Sequence, residues 1–273
     1  ACMNTITSQT ESPEVLVTRL AQAGRVAQRQ VALLTDAQKA QGLRAAAAAL
    51  LEEEPAILAA NAKDYAAAEA RGTSAALLDR LKLDSKRLAG IADAVEQVAN
   101  LSDPVGEVID RSERPNGLQL SRVRIPIGLI GIIYESRPNV TADAAALCLR
   151  SGNAVLLRGG TEAIHSNRAI LAAMVRGLES AGIPRDAVQL MPTQEREAVG
   201  AMLAAAGLID MIIPRGGKSL VARVQADARV PVLAHLDGVC HTYVDATADA
   251  DMAQKVVLNA KMRRTGICGS MET

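Results

Sequence analysis

The sequence predicts an α/β fold in which a parallel sheet carries helices on both faces and follows an N-terminal helical region. Three observations predict it. Residues 13–101 have the composition and caps of helices, and residues 103–126 have two β-like runs around a turn signal. From residue 127 onward, short apolar runs alternate with helix-length stretches. Buried strands that alternate with crossover helices are typical of a parallel, Rossmann-like sheet.

Start and stop signals divide the helical region. Thr35 and Gln38 resemble a capping box before "AQKAQGLRAAAAALLEEE", and Asp36 is another possible cap for that helix. Pro55 suits the first turn of the next helix, and Gly72 suits its C-terminal end. The many alanines favour helix and leave small faces that pack closely.

The predicted β elements begin with a hairpin that turns at Asn116-Gly117. The predicted strands of the parallel sheet are "GLIGIIY", "NAVLLR", "AVQLM", "IDMIIP", "VPVLAH" and "CHTYVD". Helices are predicted over residues 85–100, 139–150, 161–181, 194–206, 217–227 and 247–261.

Composition excludes several classes of function. Lys+Arg and Asp+Glu number 30 each, so no net field favours nucleic acid or a membrane surface. No apolar run is long enough to span a membrane, and the first residues lack the pattern of a signal peptide. The 4 cysteines form no CxxC pair, which argues against a zinc site or a disulfide framework and favours a reducing, cytoplasmic setting. No metal cluster emerges around the 3 histidines, which are interpreted as structural.

Two strand ends share one design, in which an arginine and two glycines precede a helix. The first is Arg158-Gly159-Gly160, and the second is Arg215-Gly216-Gly217-Lys218-Ser219. Glycines let backbone amides approach a ligand, and a helix N-terminus favours an anion. Two such loops at one sheet edge predict a phosphate-bearing cofactor. The alternative is that the glycine pairs only turn the chain.

Familiar nucleotide motifs do not account for these loops. A P-loop requires a glycine where this chain has Ile212, so an ATPase or kinase site is excluded. The GxGxxG fingerprint is absent from both loops, so a dinucleotide would bind here in another geometry.

Two further residues are candidates for chemistry. Asn139 follows Pro138 at a predicted helix start, where it is either a helix cap or a hydrogen-bond donor to an oxyanion. Cys268 is either an inert buried thiol or a thiolate held by Arg263 and Arg264.

Several long segments carry a resemblance that covers nearly the whole chain. They resemble the aldehyde dehydrogenase superfamily, and within it the γ-glutamyl phosphate reductase branch. The matching segments, in order, are "PIGLIGIIYESRPNVTADAAALCLRSGNAVLLRGG", "DMIIPRGGKSL", "GVCHTYVD" and "NAKMRRTGICGSMET". "YESRPNVT" and "PRGG" are specific to this branch.

The resemblance implies roles for the candidate residues. Cys268 matches the catalytic cysteine, and Asn139 matches the oxyanion-stabilising asparagine. Arg158, with Gly159 and Gly160, matches the region that contacts the cofactor's ribose, and the loop 215–219 matches a second cofactor loop. The residues that could hold the substrate phosphate are Arg137, Arg263 and Arg264.

One departure from the superfamily pattern agrees with the reductase branch. Ala234 or His235 stands where most aldehyde dehydrogenases have a glutamate general base. A reaction that releases phosphate does not need a base to activate water for thioester hydrolysis.

The resemblance also implies a domain organisation. Residues 1–102 are expected to form a helical region on the cofactor domain, and residues 103–126 a hairpin-like oligomerisation segment. Residues 127–258 are expected to form the dinucleotide-binding domain, and residues 259–273 the start of a catalytic domain. Because family members continue well beyond the matching cysteine, the chain is expected to be truncated just after it.

The implied reaction is the NADPH-dependent reduction of L-glutamyl 5-phosphate to L-glutamate 5-semialdehyde in proline biosynthesis, through a cysteine thioester. A homo-oligomer and an association with glutamate 5-kinase are also expected, and the isolated chain is expected to bind NADPH weakly and to turn over poorly or not at all. Two alternatives stay open, a CoA-dependent acylating aldehyde dehydrogenase and a non-catalytic dinucleotide-binding module. "YESRPNVT" argues against the first, and Cys268 distinguishes the second, because a scaffold would tolerate Cys268→Ala with no chemical phenotype. An α-helical interaction protein is a weaker third alternative, which the alternating strands after residue 127 oppose.

Overall fold

The computed structural model describes residues 11–135, 137–235, 238–263, 265 and 269–273. Two of the predicted site residues, Cys268 and Arg264, lie outside the described residues. No helix in the described part of the chain is both long enough and apolar enough to cross a membrane.

Five helices form the N-terminal region, and their caps follow from the sequence. Thr35 is the N-cap of the second helix, with Gln38 N–H donating to Thr35 Oγ1 at 3.3 Å and Thr35 N–H donating to Gln38 Oε1 at 2.9 Å. The capping box is confirmed, and Asp36 is therefore the first helical residue rather than the cap. Gly72 follows the third helix with a φ of +73°, which favours glycine. The five helices are α1 (Pro13–Val31), α2 (Asp36–Glu52), α3 (Glu54–Ala70), α4 (Ala75–Leu81) and α5 (Ser85–Ala99).

The predicted hairpin is confirmed as an antiparallel pair, β1 (Val108–Glu113) and β2 (Gln119–Val123). Gly117 has a φ of +85° in the connecting turn, where its N–H donates to Arg114 O at 2.8 Å. Every residue of the two strands except Ser112 is exposed.

The central sheet has four parallel strands in the order β5-β4-β3-β6. The chain moves outward from β3 to β5 and then returns to the other side of β3 through β6. This order places a topological switch point between the carboxyl ends of β3 and β6, where open α/β sheets bind ligands. The strands are β3 (Leu129–Tyr134), β4 (Ala154–Arg158), β5 (Val188–Leu190) and β6 (Met211–Arg215).

Helices cover both faces of this sheet, which confirms the predicted fold class. One face packs on α1, α8 and α9, and the other packs on α2, α5, α6 and α7. Alternate residues of each strand belong to opposite layers, as in β3, where Ile133 faces the first set of helices and Ile132 the second. The remaining helices are α6 (Asn139–Arg150), α7 (Ile164–Ser180), α8 (Arg196–Ala204), α9 (Lys218–Asp227) and α10 (Ala250–Met262).

The two last predicted strands are wrong. Residues 230–235 pair with β6 through a single bridge, in which Ile212 N–H donates to Pro231 O and Leu233 N–H donates to Ile212 O. The next ladder bond would start from residue 214, which is a proline and has no N–H to donate. Residues 240–245 form one isolated bridge, between Cys240 and Met271.

Candidate functional site

The first glycine loop follows β4 and is packed against the sheet. Gly159 and Gly160 are buried, and a Cβ atom on Gly159 would overlap Asn167 Nδ2 and lie 3.0 Å from Tyr134 Oη. Close approach, rather than an unusual φ, therefore requires glycine at position 159.

A buried polar network supports this loop from below. Tyr134 Oη and Thr141 Oγ1 lie 2.7 Å apart, and Thr141 Oγ1 donates to Asn167 Oδ1 at 3.1 Å. Burial raises the pKa of Tyr134 to about 12, more than the hydrogen bond with Thr141 lowers it, so the side chain is a neutral phenol at physiological pH. The network fixes the floor of the loop without adding charge.

Arg158 is held in place by main-chain carbonyls. Its Nη1 donates to Gly159 O at 3.2 Å and its Nη2 donates to Gln194 O at 3.0 Å. Its Nε is buried and has no hydrogen-bond partner among the described residues. Burial lowers the pKa of Arg158, but a guanidinium stays charged at neutral pH. The predicted arginine is thus a half-buried, pre-oriented cation at the carboxyl end of β4.

A carboxylate from a distant helix anchors the start of α7, just beyond this loop. Asp64 of α3 is 3 % exposed, and its Oδ2 accepts from Ser166 N–H at 2.7 Å and from Ser166 Oγ at 2.6 Å. Its Oδ1 accepts from His165 N–H at 3.2 Å, and Asn61 Nδ2 donates to Ser166 Oγ at 3.0 Å. The end of the first glycine loop is therefore fixed to the N-terminal helices.

The second glycine loop is open to solvent. Gly217 is the N-cap of α9, so the predicted arrangement of strand, arginine, glycine pair and helix start is confirmed here. All five predicted residues are exposed: Arg215, Gly216, Gly217, Lys218 and Ser219.

Glu135, which the sequence analysis did not select, occupies the start of α9. Its Oε2 accepts from Gly217 N–H at 3.0 Å, and its own N–H donates to Arg215 O at 3.2 Å. The amide predicted to bind an anion thus already binds a carboxylate of the chain. An acidic residue directly after the buried strand "GLIGIIY" was the signal that could have identified it.

A cleft of about 370 Å³ opens beside these two loops, between α8 and α9. Arg158, Arg196 and Arg223 line it together with Glu135 and Ser219. Arg196 and Arg223 come from two different helices and were not predicted from the sequence. Among the residues that the structure describes, three guanidinium groups and one carboxylate give this cleft an excess of positive charge.

A second cleft, of about 420 Å³, lies on the α5–α6 side of the same sheet edge. Four cationic side chains and two carboxylates line it with Asn139: Arg80, Lys82, Arg87 and Arg137, and Asp79 and Asp143. The structure therefore brings two of the predicted residues, Arg137 and Asn139, into one basic cleft and separates them from the loops of the first cleft.

Asn139 is the first residue of α6 and not its cap. The N-cap is Pro138, so the capping interpretation is wrong. Asn139 Nδ2 donates to Asp143 Oδ2 at 2.8 Å, which leaves one N–H of the amide for another acceptor. Burial raises the pKa of Asp143, and the hydrogen bond from Asn139 opposes that rise.

The described residues around the C-terminal cysteine are sparse. Arg263 is exposed at the C-terminal end of α10. After the undescribed stretch, Met271 N–H donates to Ala260 O at 3.0 Å, so the final residues pack against the end of the same helix. No group of three or more His, Cys, Asp or Glu that could hold a metal occurs in the described ranges.

The sequence of the chain is similar to those of several known proteins. The chain is 69% identical over 263 residues to the γ-glutamyl phosphate reductase of Novosphingobium aromaticivorans, covering 96% of this chain and 62% of that protein. It is 62% identical to the protein of the same name from Sphingopyxis alaskensis, covering 98% and 63%. The chain thus spans about 62% of the length of these relatives.

A solved structure agrees with this similarity. The crystal structure of γ-glutamyl phosphate reductase from Thermotoga maritima matches with a TM-score of 0.87 and 42% identity, over 94% of this chain and 62% of that one. A model of the aldehyde dehydrogenase family matches residues 3–272. Because this match covers nearly the whole chain, including both glycine loops and the C-terminal cysteine, the chain belongs to the aldehyde dehydrogenase family.

Proposed function

We propose that the chain takes part in the NADPH-dependent reduction of L-glutamyl 5-phosphate to L-glutamate 5-semialdehyde, with release of phosphate. The observation that carries the proposal is the arginine-lined cleft at the sheet's switch point, in a chain 69% identical to a γ-glutamyl phosphate reductase. The cleft supports a phosphorylated cofactor, and the relative's name supports the substrate.

Membership of the family implies a nicotinamide dinucleotide cofactor, and the residues of the first cleft fit one. Their donors are guanidinium groups, a serine hydroxyl and the first turn of α9, which are suited to phosphate and ribose oxygens. Arg158 would hold the ribose side, at the start of the loop that Gly159 and Gly160 form. The second loop, from Arg215 to Ser219, would contact the pyrophosphate. The bound dinucleotide would supply the hydride for the reduction.

The nucleophile of the proposed reaction is Cys268. Its thiolate attacks the acyl carbon of the substrate, and phosphate leaves with the electrons of the broken carbon–oxygen bond, which yields a thioester. Arg263 and Arg264 are proposed to favour the thiolate or to hold the leaving phosphate. No base is needed to activate water, in keeping with Ala234 and His235 at the position of the usual glutamate.

Asn139 is proposed to stabilise the oxyanion of the tetrahedral intermediate. One N–H of its amide is fixed by Asp143, which would orient the other N–H for the oxyanion. The basic cleft that contains Asn139 would hold the anionic substrate, with Arg137 the first candidate for its phosphate. Arg80 and Lys82 on the opposite wall are further candidates, and sequence analysis missed them.

The predicted partners stay predictions with partial support. The exposed hairpin carries apolar side chains that a second copy of the chain could cover, among them Ile109 and Leu120 at 47% and 38% exposed. We therefore propose that residues 103–126 contribute to a homo-oligomer. Association with glutamate 5-kinase and a cytoplasmic location remain predictions from the resemblance and the cysteine content.

The reverse reaction tests the proposed function. The chain would be incubated with L-glutamate 5-semialdehyde, NADP⁺ and inorganic phosphate, with the Novosphingobium relative as positive control, and NADPH would be followed by absorbance. Any NADPH that the chain forms should depend on phosphate, should form more slowly than with the relative, and should disappear in Cys268→Ala. Formation that requires coenzyme A instead of phosphate would identify a CoA-dependent acylating enzyme. A chain that neither forms NADPH nor binds NADP⁺, while the relative does both, would contradict the proposal.

A further inference from the structure

We propose that Arg196 and Arg223, together with Arg158, bind a phosphate on the cofactor's adenosine ribose and so select NADPH over NADH. This inference rests on the dinucleotide function proposed above and assigns a specificity-determining role to two residues outside the predicted loops.

The position of the cleft in the sheet is the first argument. In dinucleotide-binding sheets with a GxGxxG loop, the adenosine ribose lies near the end of the second strand, where an acidic side chain binds the free 2′-hydroxyl or an arginine accepts a 2′-phosphate. This chain lacks that loop, and the comparison is therefore limited to the strand end. Here β4 is the second strand of the unit, and its last residue is Arg158. An arginine therefore stands at the strand end where selection between the two cofactors takes place.

The second argument is that two more arginines reach the same cleft. Arg196 is the first residue of α8, and Arg223 lies in the second turn of α9. Both line the cleft with Arg158, whereas Lys218 does not. Arg223 Nε lies 3.5 Å from Asp227 Oδ2, and both side chains are about half exposed, so this weak pair leaves the guanidinium free to turn toward a ligand.

Charge balance is the third argument. Three cationic side chains line the cleft, and among the described residues Glu135 is the one carboxylate in its lining. Burial lowers the pKa of Arg158, and the positive charges of Arg196 and Arg223 lower it further, while Glu162 and Glu135 oppose the effect. A dianionic phosphate would relieve this repulsion, and the uncharged 2′-hydroxyl of NADH would not.

Arg158 and the two new residues would act in different ways. Arg158 is already fixed by two carbonyls, so it would present a pre-oriented charge. Arg196 and Arg223 are exposed and would close on the phosphate from opposite helices, as in other sites where guanidinium forks bind phosphate.

The test uses the adenosine half of each cofactor and needs neither Cys268 nor turnover. The chain would be titrated calorimetrically with adenosine 2′,5′-bisphosphate, with AMP and with inorganic phosphate. We expect the bisphosphate to bind roughly tenfold more tightly than AMP. Arg196→Ala and Arg223→Ala should each weaken bisphosphate binding by about fivefold to tenfold and leave AMP binding within about twofold. Arg229→Ala, which removes an exposed arginine outside the cleft, is the matched control.

Each other outcome is distinguishable. Equal binding of the bisphosphate and AMP, with or without the arginines, would overturn the inference and leave the dinucleotide site intact. Loss of both ligands in the arginine variants would also overturn it, because the residues would then hold the common 5′-phosphate. Arginine-dependent binding of inorganic phosphate alone would assign the site to a free phosphate. If neither nucleotide binds, both the inference and the proposed function fail.

Discussion

Two helices in this fold start just after a glycine pair, and a carboxylate from elsewhere in the chain binds each start. Asp64 binds the start of α7 and is 3 % exposed, in a network with Asn61 and Ser166. Glu135 binds the start of α9 through a single hydrogen bond to Gly217 and is exposed. The same pattern of arginine, two glycines and a helix is therefore sealed at one strand end and open at the other.

The two loops use the same motif differently, because the first is held by internal packing and the second is accessible to a ligand. At β4, Gly159 packs against Tyr134 and Asn167, so the loop can present Arg158 but can hardly rearrange. At β6 the acid that binds the helix start is replaceable, because water or a ligand phosphate can reach the same amide. The first loop thus holds Arg158 in a fixed orientation, whereas at the second loop a ligand can replace Glu135.

The largest expected effect comes from removing the sealed carboxylate. Asp64→Ala would leave the Ser166 N–H and hydroxyl buried without their acceptor, and we expect the free energy of unfolding to fall by about 3 kcal/mol. Glu135→Ala, the matched change at the open site, should cost about 0.5–1 kcal/mol. Urea denaturation of the three proteins measures both values. Equal losses would show that the two sites do not differ in this way.

Exchange of one glycine for alanine in each loop should give the next largest effect. Gly159→Ala places a methyl group against Asn167 and Tyr134 and should cost about 1–3 kcal/mol. Gly217→Ala meets its nearest atom, Glu135 Oε2, only at 4.0 Å and has extended backbone angles, so its stability should stay within about 0.5 kcal/mol. The same denaturation measurement applies, and a tolerated alanine at position 159 would contradict the packed interpretation of that loop.

Alkaline pH should lower the free energy of unfolding through the buried thiol of Cys148. Burial raises the pKa of this thiol to about 12 from its ordinary 9.0, so the folded state keeps a proton that the unfolded state releases. Stability should therefore fall as pH rises above 9, by up to about 1.4 kcal/mol per pH unit from this group. Cys148→Ala should have a flatter dependence between pH 9 and pH 10, measured by denaturation at each pH. An unchanged slope in this variant would assign the effect to other groups.

The smallest expected effect concerns Glu135 at the open second loop. Glu135→Gln removes the negative charge from the cleft and weakens the acceptor at Gly217, so NADPH should bind about twofold to fivefold more tightly. Fluorescence titration of NADPH measures this, with Asp64→Asn as a carboxylate change outside the cleft. Weaker binding in Glu135→Gln would mean that the carboxylate itself binds the cofactor, for example at a ribose hydroxyl.

Sequence patterns predicted the parts of this fold that depend on near neighbours. The capping box at Thr35, the hairpin turn at Gly117, the four parallel strands and the start of α9 after Gly217 all follow from residues a few positions apart. Both glycine loops were also placed at the same sheet edge, because parallel strands bring their carboxyl ends together.

The rest depends on contacts between distant residues. Glu135 binds an amide 82 positions away, and Asp64 binds one 102 positions away. Arg196 and Arg223 share a cleft only because α8 and α9 pack side by side. The failed strand at residues 230–235 has its cause in Pro214 of the neighbouring strand, which a local pattern does not reveal.

Calorimetric titration with NADPH tests most directly whether the edge of the sheet that carries Arg158 is a cofactor site. We predict saturable binding that weakens about tenfold or more in Arg158→Ala and is unchanged in the control Arg229→Ala. Denaturation of both variants would establish that they are folded. Absence of saturable binding, or binding that Arg158→Ala does not weaken, would contradict a dinucleotide site at this edge.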